Sequence, residues 1–164
     1  MKLFARILSL LVLGGLATFY VGCSKDDGGK KSDEEVQLGL LTQTWVMSSA
    51  TSDGTSRTAD YPGLKLTVSG TFAQGGVYDY SLTMTGAPPS VMPWPQSGKW
   101  KFGANPKTDI IRDPGVDSET SMTYTVSSDG NQLHVEFTLQ PGSGWNWSRQ
   151  GSVSGAWVFE FTKQ

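Results

Sequence analysis

A six-residue string, Ser-Gly-x-Trp-x-Phe, occurs twice in this chain, at 97–102 and at 154–159. Side chains two residues apart lie on the same side of an extended backbone, so Trp and Phe of each copy share one face. A weaker echo at 42–47 keeps the tryptophan as Trp45. The glycine of each full copy predicts a sharp bend, as the corners of a β-barrel require. These strings therefore predict strands that build the dry face of a curved sheet.

The same period of two runs through most of the chain after residue 42. Such alternation of apolar and polar residues is typical of antiparallel strands with one dry and one solvated face. No segment between the strands is long enough for a helical crossover. Counting the tryptophan strings, the pattern predicts eight strands; the remaining ones lie at 64–69, 78–84, 108–112, 122–126 and 133–139.

Long and short connections alternate along the chain. In an up-and-down arrangement, successive connections lie at opposite ends of the sheet, so the long ones gather at one end. Eight strands are about what a small barrel needs before side chains fill its interior. The sequence thus predicts an all-β, eight-stranded, up-and-down antiparallel barrel with a packed interior or a small cavity open at the rim. The predicted long connections are 51–62, 87–96, 113–120 and 141–152.

The N-terminal segment has the pattern of an export signal followed by a tether. Residues 1–22 combine a positively charged start with a short apolar run, and Cys23, the only cysteine, follows Gly22. This position resembles the lipobox of bacterial lipoproteins, in which the cysteine is lipidated and becomes the mature N-terminus. An ordinary secretory signal with an incidental cysteine is the alternative. The charged stretch 23–35 predicts a flexible tether, and 36–164 the folded domain.

Two features of the tether bear on location and packing. Lys25-Asp26-Asp27 resembles the signal that sends lipoproteins of the Bacteroidota to the cell surface, with a plain spacer as the alternative. We therefore expect an outer-membrane lipoprotein that is exposed at the surface. Ser32 to Glu35 before an apolar stretch reads as a capping box and predicts a short helix that closes one end of the barrel.

The charge balance argues against a nucleic-acid partner. Removal of residues 1–22 takes away Lys2 and Arg6 and leaves 11 basic against 15 acidic residues, a net charge of −4. The sequence contains neither a basic patch nor a basic stripe that would contact phosphates. We expect the membrane link to be the lipid on Cys23.

Residues 38–163 resemble the lipocalin-like lipoproteins of the Bacteroidota. The resemblance lies in the tryptophan-bearing strands and in the alternation of 133–139. The wider lipocalin superfamily has Gly-x-Trp in its first strand, where this chain has Gln43 and Trp45. The resemblance implies a lipocalin-like barrel, and most members of the family have no assigned function.

Aromatic residues in the long connections are the candidate binding residues. Proline-rich surroundings can hold a ring outward, and rings two apart in an extended loop face one way, so such rings could stack on sugars or on a partner. The alternative is that some fold back as a lid over the barrel mouth. The candidate ligand-binding residues are Tyr61, Trp94, Trp145, Trp147 and Arg149.

Catalytic and metal-binding patterns are weak. A solvated turn explains Asp109, Asp113, Asp117 and Glu119 better than a Ca²⁺ site does. His134 shares the wet face with Glu136, and no Gly-x-Ser-x-Gly elbow is present. We therefore expect no enzyme activity, no metal and no cofactor.

The combined expectation is a lipid-anchored binding module of the envelope or cell surface whose aromatic rim contacts a glycan or a small hydrophobic ligand. An accessory lipoprotein that docks on another outer-membrane protein is the alternative.

Overall fold

The computed structural model describes residues 30–87, 89, 92–142 and 153–164. The chain divides into two compact units, Met1–Lys30 and Lys31–Gln164, and every element described below lies in the second. These are helix α1 (Asp33–Leu41) and strands β1 (Thr44–Ser52), β2 (Thr55–Ser56), β3 (Lys65–Ser69), β4 (Tyr78–Thr83), β5 (Ser97–Phe102), β6 (Asp109–Arg112), β7 (Thr120–Val126), β8 (Gln132–Leu139) and β9 (Gly155–Lys163).

The strands form a closed antiparallel barrel. Strands β1 and β3 to β9 pair in chain order, and β1 also pairs with β9 from Trp45 opposite Lys163 to Ser52 opposite Trp157. Strand β2 only extends β1 as a hairpin, through a turn in which Asp53 and Gly54 both have positive φ, 48° and 75°. That geometry is typical of a two-residue hairpin turn. The predicted eight-stranded up-and-down barrel is confirmed.

The connections gather at two ends, as the predicted strand order requires. One end, here called the loop pole, carries the connections 53–64, 84–96, 113–119 and 140–154. The opposite end, the helix pole, carries the shorter connections 70–77, 103–108 and 127–131. Contacts within the loop pole include the Thr85 N–H bond to the Pro62 carbonyl, 3.0 Å long.

Helix α1 closes the helix pole. The Ser32 hydroxyl accepts the Glu35 N–H at 3.1 Å, which satisfies one of the unpaired donors at the start of the helix. Leu38 and Leu41 are buried against the barrel. The helix begins at Asp33, so it includes the last three residues of the predicted tether. None of the helices among the described residues is long and apolar enough to span a membrane.

The barrel interior is packed. The space between Leu41 at the helix pole and Trp94 at the loop pole is a cavity of about 30 Å³. Of the two sequence-based alternatives, the packed interior is therefore the one observed. Among the described residues, the largest fully buried side chains are Trp45, Arg112, Tyr61, Tyr124, Phe159 and Phe161.

The two Ser-Gly-x-Trp strings share a contact that the sequence did not reveal. The Asp113 N–H bonds to the Lys99 carbonyl at 2.7 Å, and Asp113 Oδ1 accepts the Lys99 N–H at 3.3 Å. Asp53 makes the same two bonds with Ala156, both 2.8 Å long. In each case the aspartate follows a strand that pairs with the string, and its carboxylate lies over the glycine. We call each arrangement an aspartate clasp.

The glycines are needed because the carboxylates occupy the space where a Cβ would lie. A Cβ on Gly98 would lie 2.2 Å from Asp113 Oδ1, and one on Gly155 would lie 2.3 Å from Asp53 Oδ2. Gly155 also has a φ of 102°, which residues with a side chain rarely adopt. At both positions the neighbouring carboxylate therefore requires a glycine, whether or not that glycine also allows the strand to bend.

Candidate functional site

Trp94 closes the barrel mouth from within. Its side chain is 4% exposed. The indole ring makes edge-on contacts with the rings of Tyr80, Phe137 and Phe159, at centroid distances of 6.1, 5.4 and 5.8 Å. The expectation that this ring points outward is therefore wrong, and the lid alternative is observed. Burial of a large ring against three aromatic partners is more favourable than its exposure on a loop.

Arg112 lies beneath the Trp94 segment and holds it. Its Nη1 donates to the Pro93 carbonyl at 3.2 Å, and its Nη2 donates to Thr120 Oγ1 at 2.8 Å. The guanidinium carbon lies 5.8 Å from the centroid of the Trp94 ring, within the range of a cation–π contact. One cation thus contacts both the backbone and the ring of the segment that fills the mouth.

The charge on Arg112 is balanced by a neighbouring carboxylate. Arg112 is 1% exposed, and its Nε lies 3.4 Å from Asp113 Oδ2. Burial lowers the pKa of Arg112 to about 10, while Tyr80 and Asp113 oppose that shift. Arg112 therefore stays protonated at neutral pH. The Tyr80 hydroxyl lies 3.3 Å from each carboxylate oxygen of Asp113, and burial followed by the Asp113 charge raises the pKa of Tyr80.

Sequence reasoning missed Arg112, although one signal pointed to it. Arg112 is two residues after Ile110 in β6, so it faces the same side of the strand. A buried charge is costly unless it is paired, and the pairing partner here is the next residue in the chain. A charged residue at a dry-face position, directly followed by an acid at a turn, was the available clue.

Tyr61 is also buried rather than exposed on the rim. It follows a short 3-10 turn, Thr58–Asp60, and is 1% exposed. Its ring contacts those of Trp157 and Phe159 at 6.3 and 5.8 Å. Burial raises the pKa of Tyr61 to about 12. Trp145, Trp147 and Arg149 lie outside the described residues, as does Cys23, so their predicted roles remain predictions.

The four acidic residues considered for calcium do not converge. Asp109 and Asp113 lie at opposite ends of β6, where Asp109 Oδ2 accepts the Asn105 N–H at 3.2 Å. Glu119 Oε2 accepts the Gly115 N–H at 2.7 Å within the β6–β7 connection. Within the part of the chain that the structure describes, no group of three or more His, Cys, Asp and Glu side chains could hold a metal ion. The carboxylates of Asp109 and Glu119 accept N–H groups of nearby turns, and that of Asp113 pairs with Arg112.

His134 lies on the outer wall between two carboxylates. Its Nδ1 is 2.6 Å from Glu160 Oε1, and its Nε2 is 3.0 Å from Glu136 Oε1. Partial burial lowers the pKa of His134, but the hydrogen bonds and charges of Glu160 and Glu136 outweigh it and raise the pKa above its usual value. Both ring nitrogens can donate only in the protonated form. Each nitrogen already has a partner, which argues for a structural role.

We expect the barrel to lose stability as the pH rises above about 6.5, the ordinary histidine pKa. A group whose pKa is raised by folding stabilises fully below its unfolded pKa, and this contribution disappears as the pH passes the folded pKa. Since the side chain is 35% exposed, solvent screening limits the effect to less than about 1 kcal/mol. Urea unfolding at several pH values would measure it. If the unfolding free energy of His134→Gln has the same pH dependence as that of the unaltered chain, the loss of stability does not come from His134.

The outer wall also carries an open groove of about 870 Å³ over β6 to β9. Its lining residues include the apolar Ile111 and Val158 and the acidic Asp109, Glu119 and Glu136. The groove is thus partly apolar and edged with negative charge.

No family model, curated protein or solved structure matches this chain.

Proposed function

We propose that this protein is a non-catalytic binding module of the outer membrane, anchored by lipid on Cys23, that takes a small hydrophobic ligand at its loop pole. The observation that carries the proposal is the burial of Trp94 at the barrel mouth. The chain itself supplies a flat apolar ring to a chamber built of aromatic side chains. A ligand with a flat apolar group fits the same chamber once the segment swings out.

The chamber offers both apolar area and one polar contact. Tyr80, Phe137 and Phe159 surround the ring position, and Arg112 contributes an N–H that now bonds to the Pro93 carbonyl. Displacement of the segment would free that donor for an oxygen atom of the ligand. The small remaining cavity, about 30 Å³, means that binding in the barrel requires this displacement.

The test compares Trp94→Ala with the unaltered chain against a panel of hydrophobic compounds that includes indole and anilinonaphthalene sulfonate. Because the lid competes with the ligand, its removal should tighten binding about tenfold or more. Trp94→Phe should give an intermediate affinity. Trp45→Ala is the matched control, since it removes an equally buried ring at the helix pole. If no compound binds to either chain, or if Trp45→Ala has the same effect, the proposal fails.

A glycan remains the other ligand class in this proposal, supported by the sequence positions of Trp145 and Trp147. A glycan panel with Trp145→Ala and Trp147→Ala, and Trp94→Ala beside them, separates the two classes. Binding that survives all three changes would rule out the aromatic rim as the glycan site.

A second candidate function is docking on another envelope protein. The packed interior and the groove over β6 to β9 favour it. Recovery of one stoichiometric envelope partner, lost when Val158 in the groove is changed to Lys, would support docking in place of ligand binding.

A further inference from the structure

Exposed apolar side chains gather at the helix pole. Val36 is 43% exposed, Phe72 37% and Val77 53%. Among the described residues these are three of the four large hydrophobic side chains with such exposure, and the fourth, Val116 at 56%, lies at the loop pole. Clustered exposed apolar groups are a feature of binding surfaces rather than of ordinary solvated ones.

The three side chains belong to neighbouring elements. Val36 lies on α1 two residues before buried Leu38, which places it on the side of the helix away from the barrel. Phe72 and Val77 flank the turn that contains Gly75, and the Gly75 N–H donates to Glu34 of the same helix at 3.2 Å. Helix and turn therefore present their apolar side chains at the same pole.

The chain leaves the folded unit at this pole. The unit begins at Lys31, two residues before the start of α1, and Cys23 is eight residues earlier. Eight residues at no more than about 3.5 Å each span roughly 28 Å. A lipid on Cys23 would hold the helix pole within that distance of the bilayer. Charges at the pole are mixed; Lys107 pairs with Asp33 at 3.1 Å and Lys31 with Glu35 at 3.4 Å.

We propose that the helix pole rests on the lipid bilayer, with Val36, Phe72 and Val77 in the boundary between headgroups and acyl chains. This inference rests on the lipid anchor of the proposed function. The short tether brings the apolar side chains to the membrane, and the mixed charges neither attract nor repel headgroups strongly. The loop pole then faces away from the bilayer, where it meets ligands.

The test does not depend on lipidation in the cell. Because Cys23 is the only cysteine, the chain from residue 23 onward can be coupled through it to a maleimide lipid in phosphatidylcholine vesicles. An environment-sensitive fluorescent amino acid replaces exposed Gln74 at the helix pole or exposed Asp117 at the loop pole. We expect quenching by spin-labelled lipids to be several-fold stronger at position 74 than at position 117.

Two further variants make the result specific. Phe72→Ser combined with Val77→Ser should lower quenching at position 74 several-fold, whereas Val116→Ser should leave it unchanged. Equal quenching at both positions, or no effect of the double change, would overturn the inference. Incorporation of an alkyne fatty acid into the protein in cells tests the anchor separately. If no fatty acid is incorporated, the lipid anchor of the proposed function is wrong. The vesicle experiment still tests whether the helix pole contacts the bilayer.

Discussion

Replacement of Arg112 by alanine is expected to lower the free energy of unfolding by about 3–5 kcal/mol, the usual cost of breaking a buried ion pair. The change leaves the Asp113 carboxylate, which is 11% exposed, without its cation. It also removes the donor to the Pro93 carbonyl and the cation beneath the Trp94 ring. Urea unfolding followed by tryptophan fluorescence would measure the loss. The same variant should loosen the Trp94 lid.

Arg57 provides the matched control. Its ion pair with Asp60, at 2.8 Å, joins side chains that are 49% and 38% exposed. Arg57→Ala should therefore cost no more than about 1 kcal/mol. Arg112→Met combined with Asp113→Asn removes both charges and should recover most of the loss, since no unpaired ion remains. Equal costs for Arg112→Ala and Arg57→Ala would contradict the role assigned to the buried pair.

Gly155→Ala is expected to destabilise the barrel by about 2–6 kcal/mol, because two costs add. The backbone φ of 102° strains any residue with a side chain, by about 1–3 kcal/mol. The new Cβ would also lie 2.3 Å from Asp53 Oδ2, and overpacking of this kind costs about 1–3 kcal/mol. Thermal and urea unfolding would measure the sum.

A second change separates the two costs. Asp53→Gly removes the carboxylate and suits the positive φ of 48° at that position. In the Asp53→Gly background, Gly155→Ala should therefore cost only the backbone strain. Gly39→Ala is the control. Gly39 lies in α1, nothing lies within 4 Å of a Cβ at this position, and alanine there should stabilise the helix by about 0.5–1 kcal/mol. If the double variant loses as much unfolding free energy as the two single variants together, the Asp53 carboxylate does not require a glycine at position 155.

The strands could be predicted because one physical cause produces both the pattern and the fold. A barrel wall has one dry and one wet face, so apolar and polar residues alternate within a single strand, as they do in β8. The order of the connections then followed from sequential pairing, and the helix from its capping residue Ser32. Local patterns were sufficient for these elements.

The barrel mouth could not be predicted from local patterns. A loop has no period, so Trp94 between two prolines is compatible with an outward or an inward ring. The choice depends on the volume left in the interior by residues on distant strands, such as Tyr80 and Phe137. Arg112 was missed for a related reason, because its partner Pro93 lies in the β4–β5 connection and its partner Thr120 lies at the start of β7.

The two aspartate clasps have a consequence for how the barrel is joined. Asp53 follows β1 and holds the start of β9, while Asp113 follows β6 and holds the start of β5. The strands thus fall into successive halves, β1 to β5 and β6 to β9, each bound to the other by the same device. The pair formed by the first and last barrel strands, β1 and β9, therefore carries the same aspartate contact as the β5–β6 pair on the opposite side of the barrel. Closure of the barrel is thus reinforced in the same way as the pairing of two strands that are consecutive in the chain.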